Sequence, residues 1–346
     1  MTQTISISPS ELLTKAEQLV GVGKDIEARP MYEALADIDG FAGAANFRLG
    51  EIFNRLGDVQ KSFDCHKKSF HKEPGLFSKI LPESLPHYSY VYQETPHTEV
   101  FKCPLCGGDT SLHSCHNAGL NVDYTPGFDP VKLWRYCRPC HHLFAANYPT
   151  DLEGTLKATT MESLKKFEPE AFASEGEILN RLLSLTSGKR FFEIGTGIGE
   201  MVGVAREYLL EVSGIEVRES YARLVEMTFG VPIQRVDFMN FEANQEYDII
   251  VMGDVLEHFI DPVEALKKIV KLMAPEAVLW LSTPNFESAY ALSCKVNDPM
   301  LKVVEHLNYF SYQGLIRILD ELGLKVVEYR ASRKYYGSME LTIQRN

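Results

Sequence analysis

From about residue 170 onward the chain alternates two kinds of apolar pattern. Short apolar runs at "RFFEIG", "VSGIEV", "VPIQRVDF", "YDIIVMGD", "AVLWLSTP", "KVVEYRA" and "MELTIQR" read as strands, and helical patterns such as "EGEILNRLLSLTSG" lie between most of them. Apolar strands separated by helices predict an α/β architecture, a largely parallel sheet covered on both faces. Only "SRKYYGS" separates the last two runs, which predicts a terminal antiparallel hairpin. Residues 8 to about 75 carry a helical period instead. There "SPSE" predicts a helix start, with Ser8 as cap, Pro9 in the first helical position and Glu11 closing a capping box.

Within the helical segment Gly23 and Gly57 lie 34 residues apart, in "VGVGKD" and "NRLGDV". At that offset Ala16 aligns with Gly50, Leu19 with Phe53, Tyr32 with His66 and Gly40 with Pro74. The period, with a small residue in the first helix and Gly at the turn, resembles tetratricopeptide repeats; a plain pair of helical hairpins is the alternative. "ANFRLGEIFNRLGDVQKSFDCHKKSFHKEP" is the better copy. Two copies fall short of the roughly three that stand alone, so these helices are expected to dock on the rest of the chain, a second subunit or a protein partner.

A stretch rich in Pro, His and Tyr follows, then two CxxC pairs, Cys103/Cys106 and Cys137/Cys140. Each pair is a knuckle that aims two thiolates at one point, and two knuckles complete a tetrahedral zinc site with no open position. Such a metal would fold the segment rather than do chemistry; reduced, unmetallated thiols are the plainer account. The organisation expected is therefore helical repeats over 1–76, a linker over 77–98, a zinc module over 99–150 and an α/β domain over 151–346.

Seven cysteines, four of them in these pairs, suit a metal site better than a disulfide framework. The net charge of −12 argues against wrapping a nucleic-acid backbone. No stretch reaches the roughly 18 apolar residues of a membrane span, and "MTQTISISPSELL" has neither the basic start nor the apolar core of a signal peptide. A cytoplasmic protein is expected.

The stretch "RFFEIGTGIGE" empties a strand into glycines at 195, 197 and 199. A dinucleotide turn wants G-x-G-x-x-G, but position 200 is Glu, and Glu193 stands just before the turn. A carboxylate there suits a cationic amino-acid moiety better than a pyrophosphate. "FFEIGTGIGE" resembles the first motif of class I S-adenosylmethionine-dependent methyltransferases, and the likeness runs in order through 170–345. It implies a Rossmann-like, seven-stranded domain with S-adenosylmethionine as cofactor. It also implies that Glu193, Gly195, Thr196, Gly197 and Gly199 form the cofactor turn. By the same likeness Glu216, beside Val217, bonds the ribose hydroxyls, and Asp237, beside Phe238, meets the adenine amino group. "YDIIVMGDVLEHFIDPVEAL" matches the fourth motif, placing Asp254 at the cofactor pocket.

Two stretches are candidates for the chemistry. In "DVLEH", Asp254, Glu257 and His258 share one face if the segment is helical. Resemblance to ubiquinone-type O-methyltransferases makes them a possible divalent-metal site; the alternative is that Asp254 caps a helix or lines the cofactor pocket. "VEHLNYFSYQGLIRIL" carries Glu305, His306 and Tyr309 and resembles the "EHxxYFS" stretch of sugar methyltransferases, some of which use the His as base. A histidine near neutral pKa suits that task, and a His that only orders its segment is the alternative. The leading expectation is methyl transfer to a small polar acceptor, a nucleotide-linked sugar, glycan or natural-product intermediate. A protein methyltransferase recruiting its substrate through the repeats, a metal-assisted O-methyltransferase and a non-catalytic scaffold are the alternatives.

Overall fold

The computed structural model describes residues 7–120, 124–158, 167–334 and 336–346. Two compact units emerge. The first gathers residues up to 97 with 111–135 and 296–304; the second gathers 98–110, 136–295 and 305–346. The principal helices are α1 (Pro9–Gly21), α2 (Asp25–Leu35), α3 (Ala42–Arg55), α4 (Val59–Lys72), α5 (Pro169–Leu183), α6 (Glu200–Glu207), α7 (Glu219–Phe229), α8 (Pro262–Leu272), α9 (Ala289–Cys294) and α10 (Tyr312–Glu321). The principal strands are β1 (Ser111–Asn117), β2 (Val131–Cys137), β3 (His142–Ala145), β4 (Arg190–Ile194), β5 (Glu211–Ile215), β6 (Tyr247–Gly253), β7 (Met273–Pro284), β8 (Asn308–Phe310), β9 (Leu324–Ala331) and β10 (Ser338–Arg345).

In the first unit α1 opens with the expected capping box. Ser8 Oγ accepts from the Glu11 N–H, and Glu11 Oε2 accepts from the Ser8 N–H at 2.9 Å. The helices form two hairpins, α1 with α2 and α3 with α4. Gly23 and Gly57 occupy matching turns with φ of 76° and 80°, a conformation that strains any residue with a Cβ. Ala16 is fully buried, and a Cβ on its counterpart Gly50 would sit 2.6 Å from the His66 ring. Matching glycine turns thus stand 34 residues apart. Tyr32, Leu35, Leu49, Ile52 and Phe53 fill the space between the hairpins.

The hairpins do not stand alone. The Cys115 N–H donates to Asn54 Oδ1 at 3.0 Å, and Lys67 pairs with Asp129 at 2.8 Å. Residues 77–97, expected as a linker, are folded into this unit. Phe77 is buried and meets the Phe70, His87 and Tyr124 rings edge-on.

The second unit is built on a sheet ordered β9-β10-β7-β6-β4-β5. β5, β4, β6 and β7 run parallel, and β10 joins β7 and β9 antiparallel, which is the expected terminal hairpin. Both faces are apolar and both are covered. Phe191, Ile249 and Val251 pack under α5 and α6 with Leu179, Leu182 and Met201. Phe192, Ile250 and Met252 point the other way, onto Leu266, Ile269 and Leu315 of α8 and α10. The expected seven strands are six among the described residues. "VPIQRVDF" pairs with the sheet only through a single bridge, Gln234 to Ile215. Val231 and Ile233 are buried, but Pro232 and Gln234 are exposed, so the segment covers the edge without extending the ladder.

Both cysteine pairs belong to this second unit. β3, which follows Cys140, pairs antiparallel with β8 through His142↔Phe310 and Phe144↔Asn308. Among the described residues no helix is long and apolar enough to cross a membrane.

Candidate active site

The glycine turn links β4 to α6. Gly195, Gly197 and Gly199 all have positive φ, 74°, 52° and 91°, so each needs the conformational range of glycine. A Cβ on Gly195 would meet Val255 at 2.7 Å and one on Gly199 would meet Val225 at 2.6 Å, whereas one on Gly197 would meet nothing within 4 Å. Gly195 and Gly199 therefore serve packing, and Gly197 faces open space. Glu216, at the end of β5, turns back to this opening. Its Oε2 accepts from the Gly197 N–H at 3.0 Å and its Oε1 from the Arg218 N–H at 2.8 Å. Burial raises the Glu216 pKa, and these backbone donors work against that rise.

Glu193 is buried at the end of β4, and its Oε2 has no hydrogen-bond partner among the described residues. Burial, then the charge of Glu175, holds its carboxyl well above the usual range. Thr196 is buried, and Val217, next to Glu216, is half-buried. Asp237 caps a short 3₁₀ turn by accepting from the Met239 N–H at 2.7 Å, with Phe238 buried behind it. An acidic, glycine-floored recess with a buried carboxyl oxygen left unsatisfied suits a ligand that carries positive charge and no phosphate.

"DVLEH" is not an α-helix. Asp254 takes a left-handed conformation, φ 53°, and Leu256–His258 form a 3₁₀ turn, so the three side chains do not share a helical face. Asp254 accepts from the Ser282 hydroxyl at 2.9 Å. Glu257 and His258 instead gather with His306, from the separate "VEHLNYFS" stretch, their ligand-type atoms all within 4.8 Å of one another. The two candidate stretches thus form one cluster.

Glu257 is fully buried. Its Oε2 accepts from the Thr283 hydroxyl at 2.9 Å, and its Oε1 stands 3.9 Å from His306 Nε2. Burial, reinforced by the charge of Asp254, raises its pKa well above the ordinary value. The two imidazoles meet edge-to-face at 5.1 Å. His258 Nδ1 lies 2.8 Å from the Glu305 carbonyl oxygen, which can only accept, so Nδ1 is the nitrogen that carries the proton in the neutral imidazole. The Glu305 carboxylate is committed elsewhere, to Arg218 at 2.7 Å, with both side chains largely buried. Tyr309 is buried with its ring against Phe286.

The sequence reading missed Arg218, which joins the Glu216 end of the site to Glu305. A cation two residues beyond Glu216 was the available signal. It also missed Lys334, whose ammonium lies 3.4 Å from Glu175 and 3.7 Å from Glu200.

The Cys103, Cys106, Cys137 and Cys140 sulfurs lie within 4.8 Å of one another, with Cys106 and Cys137 at 3.7 Å. That separation is too long for a disulfide. It matches the edge of about 3.8 Å of a sulfur tetrahedron around an ion bonded at about 2.3 Å. Cys103 Sγ also lies 3.9 Å from His142 Nδ1. Burial pushes the Cys103 thiol up to about 12, the effect a divalent ion would reverse.

The family described as Methyltransferase domain matches residues 166–329. An uncharacterized methyltransferase of Staphylococcus carnosus is 26% identical over 190 residues, covering 48% of this chain and 91% of that protein. A ubiquinone biosynthesis O-methyltransferase of Vibrio cholerae is 27% identical over 192 residues, covering 47% and 78%. The corresponding protein of Aliivibrio fischeri is 24% identical over 151 residues, and the match spans only 64% of its length. A solved structure of the magnesium protoporphyrin IX methyltransferase of Synechocystis is similar with a TM-score of 0.43 and 15% identity, over 54% of this chain and 90% of that one. With the glycine turn and its carboxylates in place, the matched segment makes this chain an S-adenosylmethionine-dependent methyltransferase, its methyltransferase domain lying in residues 166–329.

Proposed function

We propose that the enzyme methylates a small polar acceptor, a nucleotide-linked sugar, glycan or natural-product intermediate, with a histidine base. The observation that carries this reading is the convergence of Glu257, His258 and His306 beyond the carboxyl ends of the strands, where acceptors bind in open α/β sheets. S-adenosylmethionine supplies an activated methyl for in-line displacement. The chain's own task is to hold the acceptor in line and take its proton. Glu216 takes the ribose, with Val217 beside it, and Asp237 and Phe238 the adenine. Glu193, Gly195, Thr196, Gly197, Gly199 and Asp254 line the rest of the cofactor recess. His306, backed by buried Glu257, and His258, its tautomer set by the Glu305 carbonyl, are the two proton acceptors.

Assay with sugar nucleotides and labelled cofactor tests this. His306→Ala or His258→Ala should lower kcat by about 10²-fold or more while leaving S-adenosylhomocysteine affinity intact. Full turnover in both variants defeats the base. A second reading uses the same cluster as a divalent-metal site that acidifies an acceptor hydroxyl, favoured by the 4.8 Å grouping of one carboxylate and two imidazoles. Loss of activity on chelation, restored by Mg²⁺, selects it.

The four cysteines we assign to a structural zinc ion. The 34-residue helical hairpins are read as tetratricopeptide-like, a surface for self-association or a protein partner. If that surface recruits the acceptor, the substrate is a peptide. A cytoplasmic location completes the reading.

A further inference from the structure

The turn between β9 and β10 brings a lysine into the cofactor recess. Lys334 Nζ lies 3.4 Å from Glu175 Oε1 on α5 and 3.7 Å from Glu200 Oε2, the residue that opens α6 directly after Gly199. Glu175 is 6% exposed and Glu193 7%. Glu193 Oε2, which feels both Glu175 and Lys334, has no hydrogen-bond partner among the described residues. Two carboxylates from two helices thus flank one ammonium at the mouth of the glycine turn, and Glu193 on β4 feels its charge while keeping one buried carboxyl oxygen without a partner among the described residues. A buried carboxyl oxygen left unsatisfied is costly, which marks the recess as built to receive a further donor, such as an ammonium. The turn itself is anchored: the Gly337 carbonyl accepts from the Asn285 N–H at 3.0 Å, and Tyr336 stacks on Tyr290.

The sheet order fixes which end of the cofactor this recess would meet. Glu216 follows β5, at one edge of the sheet, whereas Lys334 comes from the β9–β10 hairpin at the other. A cofactor whose ribose lies on Glu216 runs from β5 across the glycine turn of β4 and ends on the side from which Lys334 reaches in. That end is an amino acid, with one carboxylate and one ammonium.

Resting on the cofactor placement proposed above, we infer that Lys334 is a cofactor-binding residue that grips the α-carboxylate of S-adenosylmethionine, while Glu193 and its acidic neighbours take the α-ammonium. The recess then exchanges an internal lysine–glutamate pairing for two complementary pairings with the ligand. A positive charge on a flexible stem suits that exchange, because it can leave Glu175 and Glu200 without moving the backbone.

Calorimetry with two nucleosides tests it. S-adenosylhomocysteine carries the aminocarboxyl end, and 5′-methylthioadenosine keeps adenosine and sulfur but lacks that end. Lys334→Ala should weaken S-adenosylhomocysteine by about tenfold or more, the size of one charge-assisted pairing, and leave 5′-methylthioadenosine unchanged. Lys334→Arg should recover most of the loss. Unchanged or tighter S-adenosylhomocysteine binding by Lys334→Ala overturns the inference, and so does an equal loss for both nucleosides. Wild-type protein that binds neither nucleoside overturns the cofactor placement as well as the inference; wild-type binding with an indifferent variant overturns the inference alone.

Discussion

Gly197→Ala and Gly199→Ala separate two jobs inside one turn. Both positions have positive φ, 52° and 91°, where an L-residue costs about 1–2 kcal/mol. Gly197 has nothing within 4 Å of a built Cβ, so its substitution should cost that backbone term alone. At Gly199 the new methyl would lie 2.6 and 3.1 Å from the two Val225 methyls and 3.2 Å from the Phe229 ring. Overpacking of that kind adds about 1–3 kcal/mol, for a total of about 2–5 kcal/mol. At about 2–4 °C per kcal/mol in a domain of this size, Gly197→Ala should lower Tm by about 2–8 °C and Gly199→Ala by more. Ligand affinity should rank them the other way. The open space at Gly197 lies beside the amide that bonds Glu216, and a methyl there should cost S-adenosylhomocysteine about tenfold or more in Kd. Gly230→Ala, with φ 67° and the same open surroundings, is the control. It should lose Gly197-like stability and no affinity. Thermal unfolding and calorimetry on the three variants decide the matter. If Gly197→Ala binds as wild type, or if Gly199→Ala is no less stable than Gly197→Ala, the division of labour is wrong.

Metal analysis should return about one zinc per chain, and Cys137→Ser, at a fully buried ligand position, should lose it together with several degrees of Tm; an unchanged Tm sinks the assignment. Glu193 has a folded pKa raised above its unfolded value, so the unfolded chain releases the proton first and stability falls as pH rises above the ordinary 4.5. Glu193→Gln should flatten that fall, and parallel Tm profiles from about pH 5 to 8 would contradict it. Arg218 and Glu305, joined at 2.7 Å with little exposure, should show a coupling of about 1–3 kcal/mol in a double-mutant cycle of Arg218→Ala and Glu305→Gln. Simple additivity would mean that the pair positions nothing.

Local rules made much of the molecule readable. Strands β4, β6 and β7 carry short apolar runs because both faces of a parallel sheet are buried, and the Gly195–Gly199 spacing reflects positive φ at all three glycines with close packing at the outer two. The CxxC pairs were readable because each knuckle is complete within four residues. What escaped depends on contacts between distant segments. Glu257 looked like a partner of Asp254 four positions before His258. Yet the left-handed Asp254 breaks that face, and the β8 stitching brings His306 in instead, through the Leu307 N–H to the Glu257 carbonyl at 2.8 Å. "VPIQRVDF" had a strand's composition but lies beyond the sheet's last full ladder. The aromatic run after residue 76 read as a linker, and one of the rings it packs against, Tyr124, lies far along the chain.

The cysteine cluster and the histidine cluster are mechanically one construction. Cys140 leads within two residues into β3, and β3 is hydrogen-bonded along its length to β8, with the Ala145 N–H donating to the Leu307 carbonyl at 2.8 Å. Leu307 directly follows His306. Beyond β8 the Ser311 hydroxyl donates to the His141 carbonyl at 2.7 Å, and Arg317 donates to the Pro139 carbonyl at 2.7 Å. Gly314 permits this approach, since a Cβ there would meet the Cys140 carbonyl oxygen. His142 stacks on Phe310 while facing the Cys103 sulfur. Three covalently distant segments are therefore pinned in sequence: thiols to β3, β3 to β8, and β8 to the buried Glu257 loop. A short strand of three residues has little intrinsic stability, so the register of β8 depends on what holds β3. The geometry ties the cysteine cluster to the strand that begins two residues after His306, whose Nε2 lies 3.9 Å from Glu257 Oε1.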